Sequence, residues 1–229
     1  MIQNARRLML SEVPRGLMGL GRLTVARSAL MDVPRGDGGT VMLLPGLFNG
    51  DRSNIVLRRY LRAIGYRADG WGMGRNLGER SVGADGARLL AAIERMAGRT
   101  GQPVALVGIS LGGVMARIAA RRTPELVRSV VTVSAPFAGP LDGMPMWPVY
   151  RHVLGIDAND QTVVSLLKEA AAPSPVPATA IWSAHDGLVG GATCHDDHCR
   201  AIEVRSSHLW VQFNPDVLRA VAIALALAN

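Results

Sequence analysis

Short apolar runs alternate along this chain with longer segments whose apolar residues recur every three or four positions. TVMLLP (40–45), PVALVGI (103–109), VRSVVTVSAP (127–136), ATAIWSAHD (178–186) and RAIEVRSSH (200–208) read as strands, and YRADGW (66–71) as a weaker one. The near-continuous aliphatic runs suit strands covered on both faces. Between them, NIVLRRYLRAIG (54–65), GADGARLLAAIERMAGRTG (83–101), LGGVMARIAARRTP (111–124) and residues 214–228 have helical spacing. Gly65, Gly98 or Gly101, and Pro124 supply stops, and NPDV opens the last helix. This rhythm predicts right-handed βαβ crossovers and an α/β protein: a mostly parallel central sheet with helices on both faces.

Two segments break the rhythm. Residues 1–39 form an arm, closed by the turn DVPRGDGG, that packs on or beside a domain spanning 40–229. Residues 137–177 are rich in proline and show no obvious strand, which predicts a short lid-like insertion over the carboxyl edge of the sheet.

Composition narrows the function classes. With 229 residues, 48% of them hydrophobic, the chain can bury a sizeable core, and disorder is excluded. The formal charge of +7 comes almost wholly from scattered arginines, Lys168 being the one lysine. No basic run is interleaved with aromatics, so no nucleic-acid partner is expected. Ser11, Glu12 and Pro14 interrupt the apolar stretch after Arg6 and Arg7, so it does not read as a secretory signal. No apolar run reaches membrane-spanning length, and the cytoplasm is the expected location. Residues 1–30, basic and apolar by turns, leave peripheral membrane contact open beside simple packing of the arm on the domain. The sequence is silent on oligomeric state.

The chemistry centres on LVGISLGG (106–113). Gly108, Ser110 and Gly112 give G-x-S-x-G between a buried strand and a helix, the nucleophile elbow. The turn is so tight that residues two before and two after the serine must be small. Its hydroxyl then stands at a helix N-terminus, where the backbone N–H of Leu111 faces developing negative charge. A serine hydroxyl needs a base. The expected order is an acid after a later strand and then a histidine, and Asp186 and His208 fit, with Asp196 and Asp197 as nearby alternatives for the acid. In LLPGLFNGD, Gly46 lets the backbone turn, so the N–H of Leu47 is the second oxyanion donor and Phe48 the next candidate.

LPGLFNGD, LVGISLGG, AIWSAHDGLV and SSHLW together resemble the oxyanion, nucleophile, acid and base segments of α/β-hydrolases of the small bacterial esterase/lipase kind, over residues 40–228. The resemblance implies the α/β-hydrolase fold and a cofactor-free serine hydrolase acting on small-molecule or lipid carboxylic esters. A thioesterase or acyltransferase sharing the acyl-enzyme, and a non-catalytic hydrolase-like binding protein, are the alternatives. In the insertion, Met144, Met146, Trp147 and Tyr150, with Phe48 outside it, are the expected substrate-binding side chains, because sulfur and aromatic groups adapt to acyl carbon.

Two other motifs are weaker. GWGMGRNLG (70–78) lacks nucleotide-binding spacing and reads as a loop near the pocket, with Arg75 for an anion or for backbone carbonyls. CHDDHC (194–199) packs four ligand-type residues into six positions, too few to surround one ion tetrahedrally, so no metal site is expected. Cys194 and Cys199 read as unlinked thiols in a polar loop, with a local disulfide as the alternative.

Overall fold

A computed structural model describes residues 7–139, 144–155 and 160–228. Leu141 and Ile156 of the insertion lie outside the described residues. Six parallel strands form one sheet: β1 (Thr40–Leu44), β2 (Arg67–Gly70), β3 (Val104–Ile109), β4 (Val127–Val133), β5 (Ala178–Trp182) and β6 (Arg200–Glu203), in the order β2-β1-β3-β4-β5-β6.

The strands alternate by face, and this sorts the core into two layers. Val41, Leu43, Ala105 and Val107 point to the side covered by α3 (Ile55–Ile64) and α9 (Pro215–Ala226). Met42, Leu44, Val104 and Leu106 point to the side covered by α5 (Ala87–Thr100) and α6 (Leu111–Arg122). Every residue of β1 and β3 is buried, which is why both read as unbroken apolar runs.

The arm folds into α1 (Glu12–Val25) and α2 (Arg27–Met31). Glu12, Gly16 and Gly19 are the buried residues of α1, set at i, i+4 and i+7. Leu10, just before the helix, and Leu17 and Met18 within it are exposed, while Leu23 packs against the core. No helix among the described residues is long and apolar enough to cross a membrane. The segment after Gly70 carries α4 (Glu79–Val82). The insertion holds α7 (Trp147–Leu154) and α8 (Gln161–Ala171); α8 is capped by the Asp160 carboxylate, which accepts the N–H of Thr162 at 2.7 Å, and it packs against α6.

Two strands are shorter than their apolar patterns suggest. ATAIWSAHD leaves the sheet after Trp182, and RAIEVRSSH leaves after Glu203. The Ser183 hydroxyl replaces the ladder there. It donates to the Ser206 carbonyl at 2.8 Å and accepts the N–H groups of His185 at 3.1 Å and Ser206 at 3.2 Å. Asp186 and His208 therefore stand on loops that one side chain ties together.

Candidate active site

The elbow follows from crowding around three glycines. A Cβ on Gly108 would lie 2.3 Å from the Gly112 carbonyl oxygen, one on Gly112 2.4 Å from that of Leu44, and one on Gly113 2.5 Å from the Ala135 Cβ. No larger residue fits. Ser110 pays for the turn with φ 52° and ψ −123°, a backbone region that a residue with a Cβ rarely occupies. Its N–H is held by the Val133 carbonyl at 2.8 Å, and α6 begins at the next residue.

The structure brings Ser110, His208 and Asp186 together. His208 Nε2 lies 3.2 Å from Ser110 Oγ, and its Nδ1 lies 2.8 Å from Asp186 Oδ2. Asp186 Oδ1 accepts the N–H groups of Leu188 at 3.0 Å and Val189 at 3.1 Å. That loop geometry fixes which oxygen faces the imidazole. Burial alone would raise the Asp186 carboxyl pKa, but the charge and hydrogen bond of His208, with the two backbone donors, hold it below the usual carboxylate range. Burial pulls the His208 pKa down; the charge and hydrogen bond of Asp186 and the charge of Glu12 outweigh that and leave it above the ordinary imidazole value. Asp196 does not reach His208. Its carboxylate lies 3.7 Å from the buried Arg117 guanidinium.

The loop after β1 lies against the elbow. A Cβ on Gly46 would sit 3.3 Å from the Ser110 Cβ, so this loop passes beside the serine. The N–H groups of Leu47 and Leu111 have no acceptor among the described residues. Phe48 is different. Its N–H donates to the Asn76 carbonyl at 2.8 Å, so it is not free to act as an oxyanion donor.

Asn76 explains GWGMGRNLG. Fully buried, it donates from its side-chain amide to the Pro45 carbonyl at 2.7 Å, and its Oδ1 accepts the Gly78 N–H at 3.0 Å. Its backbone N–H reaches the Asn49 carbonyl at 2.8 Å. Asn76 therefore grips the loop after β1 from both sides, while Arg75 is exposed. Asp51 secures the start of the same segment by accepting the N–H groups of Trp71 at 3.0 Å and Gly72 at 3.1 Å.

Beside Ser110 opens a cavity of about 690 Å³ between α4, α5, α6 and the insertion helices. Phe48, Met144, Trp147 and Tyr150 line it, as do Leu111 and Leu166. Met146 is not among its lining residues. Met144, Trp147 and Tyr150 recur three apart on one side of the chain, whereas Met146 falls between them and opens α7, its N–H held by the Leu188 carbonyl. The Tyr150 hydroxyl lies 3.3 Å from Ser110 Oγ, so the insertion touches the serine directly.

The side chain of Cys194 is buried against Met144, Trp147 and Val189 rather than standing in a polar loop. Both cysteines are free thiols, and burial pushes the pKa of each upward.

Known proteins share this fold. A lipase from Bacillus licheniformis superposes with a TM-score of 0.62 at 13% identity, over 86% of this chain and 95% of that one. A monoacylglycerol lipase from Paleococcus ferrophilus superposes with a TM-score of 0.61 at 17% identity, over 86% and 97%. A thioesterase domain from the curacin biosynthetic pathway reaches 0.53 at 14%, over 85% and 93%. The sequence family described as alpha/beta hydrolase fold matches residues 87–167, which include the elbow. The chain has the α/β-hydrolase fold. No curated protein matches the sequence. Within the α/β-hydrolase fold, the Ser110 elbow follows β3, the Asp186 loop follows β5 and the His208 loop follows β6.

Sequence reasoning missed Glu12 and Asn76. Glu12 belongs to no motif, Asn76 sits unremarked inside GWGMGRNLG, and each acts through hydrogen bonds to backbone groups far away in the chain.

Proposed function

We propose that the protein is a serine hydrolase that cleaves carboxylic esters through an acyl-enzyme. The observation that carries this reading is the unbroken chain Ser110 Oγ–His208–Asp186, at 3.2 and 2.8 Å, beside an apolar cavity. Asp186 accepts the Nδ1–H of His208, so the Nε2 lone pair faces the hydroxyl. His208 takes the Ser110 proton as Oγ attacks the ester carbonyl, and the N–H groups of Leu47 and Leu111 hold the resulting oxyanion. Collapse expels the alcohol, which leaves with the proton from His208. Water, deprotonated by His208, then attacks the acyl group; the carboxylic acid leaves and Ser110 recovers its proton.

The two lipases of similar fold support an ester substrate with an acyl chain, as does the apolar lining of the cavity. The thioesterase domain of similar fold favours the runner-up, a thioesterase or acyltransferase that uses the same acyl-enzyme. The exposed Leu10, Leu17 and Met18 support contact of the arm with a lipid surface that holds such substrates.

The test is labelling with a fluorophosphonate, followed by turnover of nitrophenyl esters and of the matching thioesters in water and with added alcohol. The ester reading expects stoichiometric loss of Ser110 reactivity and water as the preferred acceptor. A protein that neither labels nor turns over any ester would be a binding protein of hydrolase fold.

A further inference from the structure

The Glu12 carboxylate is buried, at 1% exposure, on a helix remote in sequence from both loops of the site, and the mechanism above does not use it. Its Oε2 accepts the N–H of His208 at 2.7 Å and that of Leu209 at 2.9 Å. Its Oε1 accepts the N–H of Gly187, the residue after Asp186, at 2.8 Å, and lies 3.1 Å from the Arg15 guanidinium. One side chain thus spans the acid loop and the base loop.

The surroundings are shaped to bring it there. A Cβ on Gly187 would lie 2.5 Å from the Leu8 backbone, so the arm crosses directly over the acid loop. A Cβ on Gly16 would meet the Trp210 ring at 2.7 Å and the Leu209 carbonyl at 3.0 Å, so α1 rests on the base loop through a glycine. Arg15 also donates to the carbonyls of His185 and Leu8, which closes the same junction.

We infer that Glu12 is a positioning residue: it locks the Asp186 and His208 loops at the spacing the hydrogen-bond chain needs, and its buried charge favours the imidazolium that forms as Ser110 attacks. The inference rests on the hydrolase reading above. The groups facing His208 are Asp186 from the loop after β5, Glu12 with its partner Arg15 from α1, and Ser110 at the elbow, with the Tyr150 hydroxyl of α7 beyond it. Among these, Asp186 and Glu12 both raise the imidazole pKa.

The test compares wild type, Glu12→Gln and Glu12→Asp on one nitrophenyl ester across pH, with fluorophosphonate titration to count competent sites. Glutamine keeps the shape but turns an amide donor toward backbone N–H groups. Glu12→Gln should lower kcat per titrated site by roughly 10- to 100-fold, the scale of a misplaced catalytic group, with KM changed much less. Its acid limb in kcat/KM should move to lower pH, because a negative charge near the imidazole is gone. Glu12→Asp keeps the charge but is one methylene short of bridging both loops; it should keep the wild-type acid limb with reduced kcat, and it carries the test if the glutamine variant does not fold. Wild-type kcat and an unmoved acid limb in Glu12→Gln, or wild-type kcat in Glu12→Asp, would overturn the inference. A wild-type protein with no ester turnover and no labelling would instead overturn the hydrolase reading on which it rests.

Discussion

The Asn76 carbonyl accepts the N–H of Phe48 at 2.8 Å, and the same asparagine reaches past it to the Pro45 carbonyl at 2.7 Å. Two contacts from one buried residue thus bracket Leu47, whose N–H has no acceptor among the described residues and is the proposed oxyanion donor. Asn76→Ala removes the side-chain half of this grip and leaves the Pro45 carbonyl and the Gly78 N–H without partners. It should destabilise the fold by about 1–3 kcal/mol, the cost of unsatisfied buried groups. It should also lower kcat toward nitrophenyl esters by roughly 100-fold with little change in KM, since the loop shifts while the cavity persists. Thermal melting and steady-state kinetics on one sample check both; loss of stability with unaltered kcat would mean the loop holds itself.

Ser110 carries backbone strain for its position. With φ at 52° and ψ at −123°, such a residue costs of order 1–3 kcal/mol, while glycine there costs about 0.5–1 kcal/mol in chain entropy. Ser110→Gly should therefore raise Tm by a few degrees, at about 2–4 °C per kcal/mol for a chain of this size, while ester hydrolysis falls by several orders of magnitude. Ser110→Ala should lose activity equally without the gain in Tm, because the strain stays. Calorimetry of the two variants beside wild type decides it.

The pH profile follows from the His208–Asp186 pair. His208 must be neutral to act as a base, and its pKa lies above the ordinary value, so the acid limb of kcat/KM should lie above about pH 6.5. Asp186→Asn should shift that limb downward and reduce turnover by about 10⁴-fold, as loss of the acid does in Ser-His-Asp enzymes. Stability responds with two signs. The raised pKa of His208 contributes below about pH 6.5 and is lost as pH rises through it; the depressed pKa of Asp186 contributes above about pH 3.9 and is lost as pH falls through it. The difference in Tm between wild type and Asp186→Asn should thus be widest between those limits and shrink on either side.

Acyl preference should follow the cavity. Each methylene buried there contributes up to about 0.8 kcal/mol, so kcat/KM should climb from acetate to about octanoate esters. Leu166→Trp, which places a large ring on the wall formed by α8, should flatten that climb and leave acetate hydrolysis nearly intact. Trp147 is a poorer probe, since it also packs against Met144, Val189 and Cys194. An unchanged chain-length series in Leu166→Trp would place the acyl group elsewhere.

The sheet was legible because both faces of β1 and β3 are buried, which writes unbroken apolar runs into the sequence. The elbow was legible for a steric reason, since positions 108 and 112 admit only glycine. His208 was found by its order after the last strand, and Asp186 by the same logic, although both strands stop short and Ser183 takes over their spacing. Glu12 left no such mark. In LMLSEVPRGL it reads as an acid interrupting an apolar run, and its partners are backbone N–H groups, which every residue but proline has. Asn76 was hidden in the same way, inside a glycine-rich segment that drew attention to Arg75. Helices α7 and α8 were obscured by the prolines around them.

The bridge made by Glu12 also bears on the order in which the chain assembles. Its partners lie 175 and 196 residues further along, at Gly187 and His208, so neither exists when α1 leaves the ribosome. Until then Glu12 has Arg15 of its own helix beside it but none of its loop N–H partners, while β1, β3 and α6 can already pack through contacts made closer in sequence. Closing so long a loop comes late and slowly. The sheet and elbow should therefore form first, as a folded but chemically silent intermediate, and ester-cleaving competence should appear only in the step that seats α1.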